Sequence, residues 1–145
     1  MNNDKNGQMS VFRLSEVSAP ELNEGAILIM VGSFAPPHVG HIAAMTAAYS
    51  ALEALGQKIA GMVYVPNTDS YVSVKVEDTR GIWRFSRRVN LLLEVLAESP
   101  VPTFVDDISG SSGPIRSSIT EEAMGVAADK LYINSNRLII VVGSD

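Results

Sequence analysis

The chain has 145 residues, of which 46% are hydrophobic, and it carries no cysteine and a formal net charge of −5 at pH 7. This length and composition predict one globular α/β domain and exclude both a disordered chain and a disulfide-stapled one. The acidic balance and the short apolar runs argue against nucleic-acid or membrane partners, so we expect a cytoplasmic protein.

The first 25 residues are predicted to form a tail and an N-terminal arm. Residues 1–7 are polar and rich in asparagine, whereas residues 11–17 alternate apolar and polar side chains. Such alternation favours a short strand or an extended packing arm. Residues 26–145 are expected to form the α/β domain itself.

Within residues 26–145, apolar runs of strand length alternate with segments of helical periodicity. Strands are predicted at residues 26–31, 59–65, 103–108 and 137–145. Helices are predicted at residues 39–55, 82–99 and 115–130, and a long polar loop at residues 67–81. This order is typical of a Rossmann-like parallel sheet flanked by helices.

The junction between the first of these strands and the first helix reads GSFAPPHVGH, at residues 32–41. Open parallel sheets bind ligands at the carboxyl ends of their strands, which is where this junction lies. Gly32 permits an unusual backbone angle and the close approach of a ligand, and the N–H groups of the helix start can meet phosphate oxygens. His38 and His41 are expected to face one side of the helix start, which suits phosphoryl or nucleotidyl transfer.

This junction resembles the signature of the nucleotidyltransferase superfamily that carries the [H/T]-x-G-H motif. The resemblance implies a Rossmann-like nucleotidyltransferase fold in which the Gly-Ser-Phe turn and both histidines bind the triphosphate of ATP. It implies catalytic roles for His38 and His41. It also implies nucleotide-binding roles for Gly32, Ser33, Phe34 and Gly40.

Two later stretches, VPNTDSYVSVK and RRVNLLLEV, resemble eukaryotic-type nicotinamide and nicotinate mononucleotide adenylyltransferases. This likeness implies that five residues bind the acceptor: Asp69, Tyr71, Lys75, Arg87 and Arg88. The final VVGSD is similar to a Gly-x-Asp element of that family and implies nucleotide-binding roles for Gly143 and Asp145. The implied reaction transfers AMP from ATP, which carries Mg²⁺ on its phosphates, to a nucleotide monophosphate, with release of pyrophosphate, as in NAD biosynthesis.

Differences from that family leave alternatives open. Ile108 and Ser109 stand where the family has a Trp-Glu pair around the pyridine ring, so another small phosphorylated acceptor such as phosphopantetheine is an alternative. The family's second nucleotide-binding signature follows the Gly-x-Asp element, so we expect this chain to be the N-terminal part of such a domain, ending after a core strand. A catalytically incomplete nucleotide-binding module is therefore a further alternative, and an uncovered last strand favours homo-oligomers.

Several polar residues receive a structural interpretation. Asp106 and Asp107 follow a predicted strand and are interpreted as a turn and helix-cap device, so no metal is assigned to them. Arg84 is expected on the solvated face of its helix. Ser118 or Thr120 is expected to cap the helix that follows.

Overall fold

The computed structural model describes residues 11–18, 20–37, 39–75, 81–111 and 118–142. In these ranges a sheet of five parallel strands is flanked by four α-helices, so the predicted α/β class is confirmed. The strands are β1 (Val11–Arg13), β2 (Ala26–Gly32), β3 (Ile59–Pro66), β4 (Thr103–Val105) and β5 (Leu138–Ile140). The helices are α1 (Val39–Ala54), α2 (Asp69–Lys75), α3 (Phe85–Val95) and α4 (Thr120–Leu131).

The sheet has the strand order β1-β4-β3-β2-β5, with every neighbouring pair parallel. β2 and β3 are the central strands, and all eight residues of β3 are buried. Both strands are continuous apolar runs because helices cover both faces of the sheet. Their register places Gly32 beside Pro66, so the chain leaves both strands at the same edge.

Two apolar clusters pack on opposite faces of this sheet. Ile27 and Ile29 of β2 face the cluster that contains α4, whereas Leu28 and Met30 face the cluster that contains α1 and α3. Successive residues of a strand point to opposite faces, so one apolar strand supplies both clusters. None of the described helices is long and apolar enough to cross a membrane.

The N-terminal arm belongs to the sheet. β1 pairs with β4 in parallel, with Phe12 beside Phe104 and their ring centroids 5.8 Å apart. A 3-10 turn over Leu14–Glu16 follows, in which the Ser15 N–H donates to the Asp107 carboxylate at 2.8 Å. The expected strand over residues 11–17 is therefore three residues long and ends in this turn.

The predicted loop over residues 67–81 is wrong for Asp69–Lys75, which form helix α2. Thr68 precedes the helix, and its hydroxyl accepts a hydrogen bond from the N–H of Tyr71 at 3.2 Å, as an N-cap residue does. Val72 buries its side chain against the rest of the fold. Seven residues are too few to show a helical period in the sequence, so the formation of this helix depends on its packing against the rest of the fold.

Other predicted elements are shorter than expected. Arg84 adopts an extended backbone, so α3 begins at Phe85 rather than at residue 82. The strand predicted over residues 103–108 ends at Val105, because the carboxylate of Asp106 accepts hydrogen bonds from the next turn. Of the last predicted strand, Leu138–Ile140 form β5, residues 141–142 are not regular, and residues 143–145 lie outside the described residues.

The expected cap of α4 is also wrong. Ile119 occupies the N-cap position, and no side chain there makes a capping hydrogen bond. The hydroxyls of Ser118 and Thr120 instead hydrogen-bond each other at 2.7 Å. Ile119 is fully buried in the apolar cluster of that face, so packing replaces a polar cap at this helix start.

Two glycines are expected to respond oppositely to alanine. A Cβ on Gly110 would lie 2.5 Å from the Pro66 carbonyl oxygen and 2.7 Å from Phe85, so Gly110→Ala should cost about 1–3 kcal/mol of unfolding free energy. A Cβ on Gly125 meets nothing within 4 Å inside α4, so Gly125→Ala should add roughly 0.5–1 kcal/mol. Urea unfolding measures both changes, and equal responses of the two variants would contradict the packing described here.

Candidate functional site

The residues that follow β2, β3 and β5 lie at the same edge of the sheet, the edge formed by the carboxyl ends of the strands. The N–H of Asn67, which follows β3, donates to the Gly32 carbonyl at the end of β2 at 2.9 Å. On the other side of β2, the N–H of Val141 donates to the Ile29 carbonyl at 2.8 Å. This carboxyl edge is where open α/β sheets bind their ligands.

The turn after β2 is built around Phe34, which is fully buried and has a φ of 51°. A left-handed backbone costs an aromatic residue of the order of 1–3 kcal/mol, and such residues cluster at functional sites. Gly32 itself has strand backbone within β2, so the unusual backbone angle predicted for it falls on Phe34 instead. A Cβ on Gly32 would lie 3.2 Å from the Phe34 ring, which is a tight contact that the ring would have to accommodate.

His41 lies in the first turn of α1 beside this aromatic residue. Its imidazole meets the Phe34 ring edge-on, with centroids 4.7 Å apart at an angle of 61°. Phe34 also packs edge-on against Tyr64 at 6.0 Å. The buried ring therefore supports the imidazole from the core side, and Gly40, one residue earlier, is exposed.

Three of the predicted site residues, His38, Gly143 and Asp145, lie outside the described residues. The arrangement of two imidazoles around one anion thus stays a prediction. The described part of the site contains the turn, His41 and the residues contributed by α2.

Arg88 is fully buried and is bonded to three parts of the chain. Its Nη1 donates to the Ser33 carbonyl at 2.9 Å, and its Nε donates to the Trp83 carbonyl at 2.7 Å. Its Nη2 forms an ion pair with Asp69 at 3.0 Å, and the Asp69 side chain is 61% exposed. The guanidinium therefore joins the Gly-Ser-Phe turn to the start of α2 and to the segment before α3.

Arg87 occupies the other side of α3. It is exposed, and its guanidinium carbon lies 5.0 Å from the centroid of the Trp83 ring. It lines an open groove together with Arg84 and Asn90 rather than the carboxyl edge. The structure thus separates the two adjacent arginines that the sequence assigns together to the acceptor.

A cavity of about 200 Å³ opens at the carboxyl edge of the sheet. Its polar walls are Ser33 after β2, Asn67 after β3, Tyr71 and Lys75 of α2, and Ser118 and Thr120 at the start of α4. Pockets for drug-sized ligands measure about 300–1,000 Å³, so this cavity fits one end of a nucleotide-sized ligand. It brings together four of the predicted residues: Gly32, Ser33, Tyr71 and Lys75.

Two polar atoms of this cavity are buried without a hydrogen-bond partner among the described residues. They are the hydroxyl oxygen of Ser33 and the side-chain oxygen of Asn67. An unpaired buried polar group costs about 1–3 kcal/mol, and both residues that carry one line this cavity. Sequence reasoning did not select Asn67, although its position directly after a central strand was a usable signal.

A larger cavity of about 430 Å³ lies elsewhere, between the N-terminal arm and the sheet. Its walls are mostly apolar and include Phe12, Leu22, Pro102 and Phe104. We take the smaller cavity as the candidate site because both residues that carry unpaired polar atoms line it.

Asp106 confirms the predicted turn. It is fully buried, and its Oδ1 accepts hydrogen bonds from the N–H groups of Ile108 at 2.8 Å and Ser109 at 2.9 Å. The Ser109 hydroxyl donates to Oδ2 of Asp106 at 2.5 Å.

Asp107 instead accepts hydrogen bonds from the N–H and the hydroxyl of Ser15 in the arm. In the described ranges, no three His, Asp or Glu residues come together as a metal site.

Burial raises the pKa of Asp106 above its ordinary value, with the hydrogen bonds from Ser109 and Ile108 opposing the shift. The folded state therefore binds this proton more tightly than the unfolded chain does, and the contribution to stability falls as pH rises through the folded pKa. The unfolding free energy of the wild type, minus that of Asp106→Asn, should fall as pH rises above about 3.9. Urea unfolding of both proteins across pH measures the difference, and a difference that rises with pH would contradict the dominance of burial.

The chain matches no protein-family model, and no curated protein matches it in sequence. The site geometry and the quoted motifs are therefore the basis for the function proposed below.

Proposed function

We propose that the protein is an adenylyltransferase that transfers AMP from ATP to a nucleotide monophosphate and releases pyrophosphate. The observation that supports this most is the buried turn around Phe34, which lies at the carboxyl edge of the sheet with His41 packed on its ring. Such a turn followed by a helix start presents backbone N–H groups to phosphate oxygens. The proposed acceptor is nicotinamide or nicotinate mononucleotide, which would make the protein an enzyme of NAD biosynthesis.

In the proposed reaction, an oxygen of the acceptor phosphate attacks the α-phosphorus of ATP in line. A new P–O bond forms while the bond from the α-phosphorus to the bridging oxygen breaks, and its electron pair leaves with pyrophosphate. His41, together with His38, stabilises the negative charge that develops on the phosphate oxygens. The substrate is the Mg²⁺ complex of ATP, whose metal ion neutralises the leaving pyrophosphate.

The acceptor is proposed to enter the 200 Å³ cavity beside the turn. The Lys75 ammonium supplies positive charge for its phosphate, and the unpaired hydroxyl of Ser33 supplies a hydrogen bond. Both residues line that cavity, and the turn that carries Ser33 also precedes His41. The acceptor phosphate and the triphosphate would therefore bind on adjoining sides of one turn.

A second candidate function keeps the reaction and changes the acceptor. The Ser109 hydroxyl is bonded to Asp106, and Ile108 contributes only a backbone bond to the same carboxylate. Neither residue supplies the aromatic and acidic pair that frames a pyridine ring in the family that the sequence resembles. This observation favours a non-pyridine acceptor such as phosphopantetheine.

The deciding experiment incubates the protein with ATP, Mg²⁺ and each acceptor in turn, and measures pyrophosphate release and the adenylylated product. Formation of a dinucleotide with either pyridine mononucleotide supports the first proposal, and adenylylated phosphopantetheine supports the second. ATP binding by calorimetry without any turnover would indicate a catalytically incomplete nucleotide-binding module. Failure to bind ATP would contradict all three.

A further inference from the structure

We propose that Asn67 is a specificity-determining residue of this site, which reads a hydroxyl or amide group next to the phosphate of the ligand. The inference deepens the proposed function and rests on it for the identity of the ligand as the acceptor. Its own grounds are the position, the burial and the missing hydrogen bond of this one carboxamide.

The backbone of Asn67 is held on two sides. Its N–H is bonded to the Gly32 carbonyl at 2.9 Å, which ties it to the end of β2. On the other side, Gly110 approaches so closely that a Cβ there would lie 3.1 Å from the Asn67 carbonyl carbon. Asn67 is one of the residues that line the cavity, and its backbone has little room to move.

Asn67 is only 2% exposed, yet its side-chain oxygen has no hydrogen-bond partner among the described residues. A carboxamide offers an acceptor at one end and two donors at the other. Because no described hydrogen bond fixes which end faces the cavity, the group can accept from a hydroxyl or an amide N–H and can donate to an oxygen. A polar ligand atom would satisfy it in either orientation.

The other residues that line the cavity indicate which class of ligand it would bind. Lys75 provides the cationic side chain among the lining residues, and Ser33, Ser118 and Thr120 provide hydroxyls. A volume of about 200 Å³ accommodates a phosphate and a few adjoining polar atoms, so the rest of a bound nucleotide would lie outside it. The chemistry is that of a phosphate monoester carried on a hydroxyl-bearing carbon skeleton, such as a ribose 5-phosphate.

Calorimetry with three probes tests this assignment: inorganic phosphate, ribose 5-phosphate and nicotinamide mononucleotide. Replacing Asn67 with leucine is expected to raise the Kd of the two ribose phosphates about 3–10-fold, the value of one neutral hydrogen bond. The Kd of inorganic phosphate should stay unchanged, since the proposed contact lies outside the phosphate. Lys75→Met should weaken all three probes.

Thermal unfolding of the ligand-free proteins provides a second readout. Leucine is close to asparagine in volume and removes the unpaired oxygen, so the Tm of Asn67→Leu should equal or exceed that of the wild type. A purely structural asparagine would instead lower the Tm when replaced. Asn90→Leu is the matched control, because Asn90 lies on α3 outside the cavity, and it should leave all three affinities unchanged.

The proposal is overturned if Asn67→Leu leaves the affinity for ribose phosphates unchanged, if it weakens inorganic phosphate equally, or if the wild type binds none of the probes. Asn67→Ala is the second variant, with the same expected pattern, should leucine prevent folding. No ATP is present in these measurements. Ribose phosphate binding that follows this pattern, without any AMP transfer, would therefore contradict the proposed function and support the role of Asn67.

Discussion

Replacing His41 with alanine is expected to lower the rate of AMP transfer about 10²–10³-fold, the usual loss when one donor to a developing anion is removed. The imidazole lies at the start of α1 beside the Phe34 ring, where the proposed triphosphate would bind. The rate is measured as pyrophosphate release at saturating ATP and acceptor. ATP affinity should fall less than the rate, because the charge on the phosphate oxygens increases in the transition state.

Protein stability separates this chemical role from a packing role. Loss of the edge-on contact with Phe34 should cost about 0.5–1.5 kcal/mol of unfolding free energy, so the variant should stay folded. Thr46→Ala, an exposed change on the same helix, serves as the control and should keep the wild-type rate. A folded His41→Ala protein with the wild-type rate would refute the catalytic assignment.

Arg88→Ala should destabilise the protein by about 3–5 kcal/mol, the range for removing one partner of a buried, hydrogen-bonded charge. The substitution leaves the Ser33 and Trp83 carbonyls without their donor and opens space where a fully buried side chain stood. Because Asp69 is largely exposed, water can replace its lost ion pair, and most of the cost arises at the two carbonyls. Urea unfolding measures the difference.

The neighbouring arginine provides a matched control. Arg87 is exposed and stacks on Trp83, so Arg87→Ala should cost less than about 1 kcal/mol. Arg88→Lys tests geometry at constant charge: a single ammonium cannot reproduce the forked bonds to Ser33, Trp83 and Asp69, so much of the loss should persist. Similar losses for Arg87→Ala and Arg88→Ala would contradict the buried role of Arg88.

The parts of the fold that were predicted correctly depend on local patterns. β2 and α1 follow from an apolar run, a turn rich in glycine and proline, and a helical period, all within residues 26–55. α2 was missed because a seven-residue helix stabilised by the Thr68 cap and the buried Val72 carries no such period. The shortness of β4 depends likewise on the buried carboxylate of Asp106, which only the folded turn supplies with donors.

The candidate site shows the same division. Ser33 and Lys75 were selected from motif order and line the cavity, whereas Asn67 was missed because its burial depends on the close approach of Gly110, 43 residues later. The burial of Arg88 was available from spacing, since it precedes the buried Leu92 by four residues and so lies on the inner face of α3. The two adjacent arginines therefore differ because successive residues of a helix point in different directions: Arg88 faces the core and Arg87 faces solvent.

The position of β1 has a consequence for the order in which the sheet is completed. Among the described residues β1 is the first strand, yet it pairs with β4, and the Ser15–Asp107 bond that fastens the arm spans 92 residues. During synthesis, residues 11–16 emerge long before their partners exist, whereas β2, α1 and β3 are contiguous and can associate early. Closing so long a loop is entropically costly before other contacts form, so we expect the arm to join the sheet late.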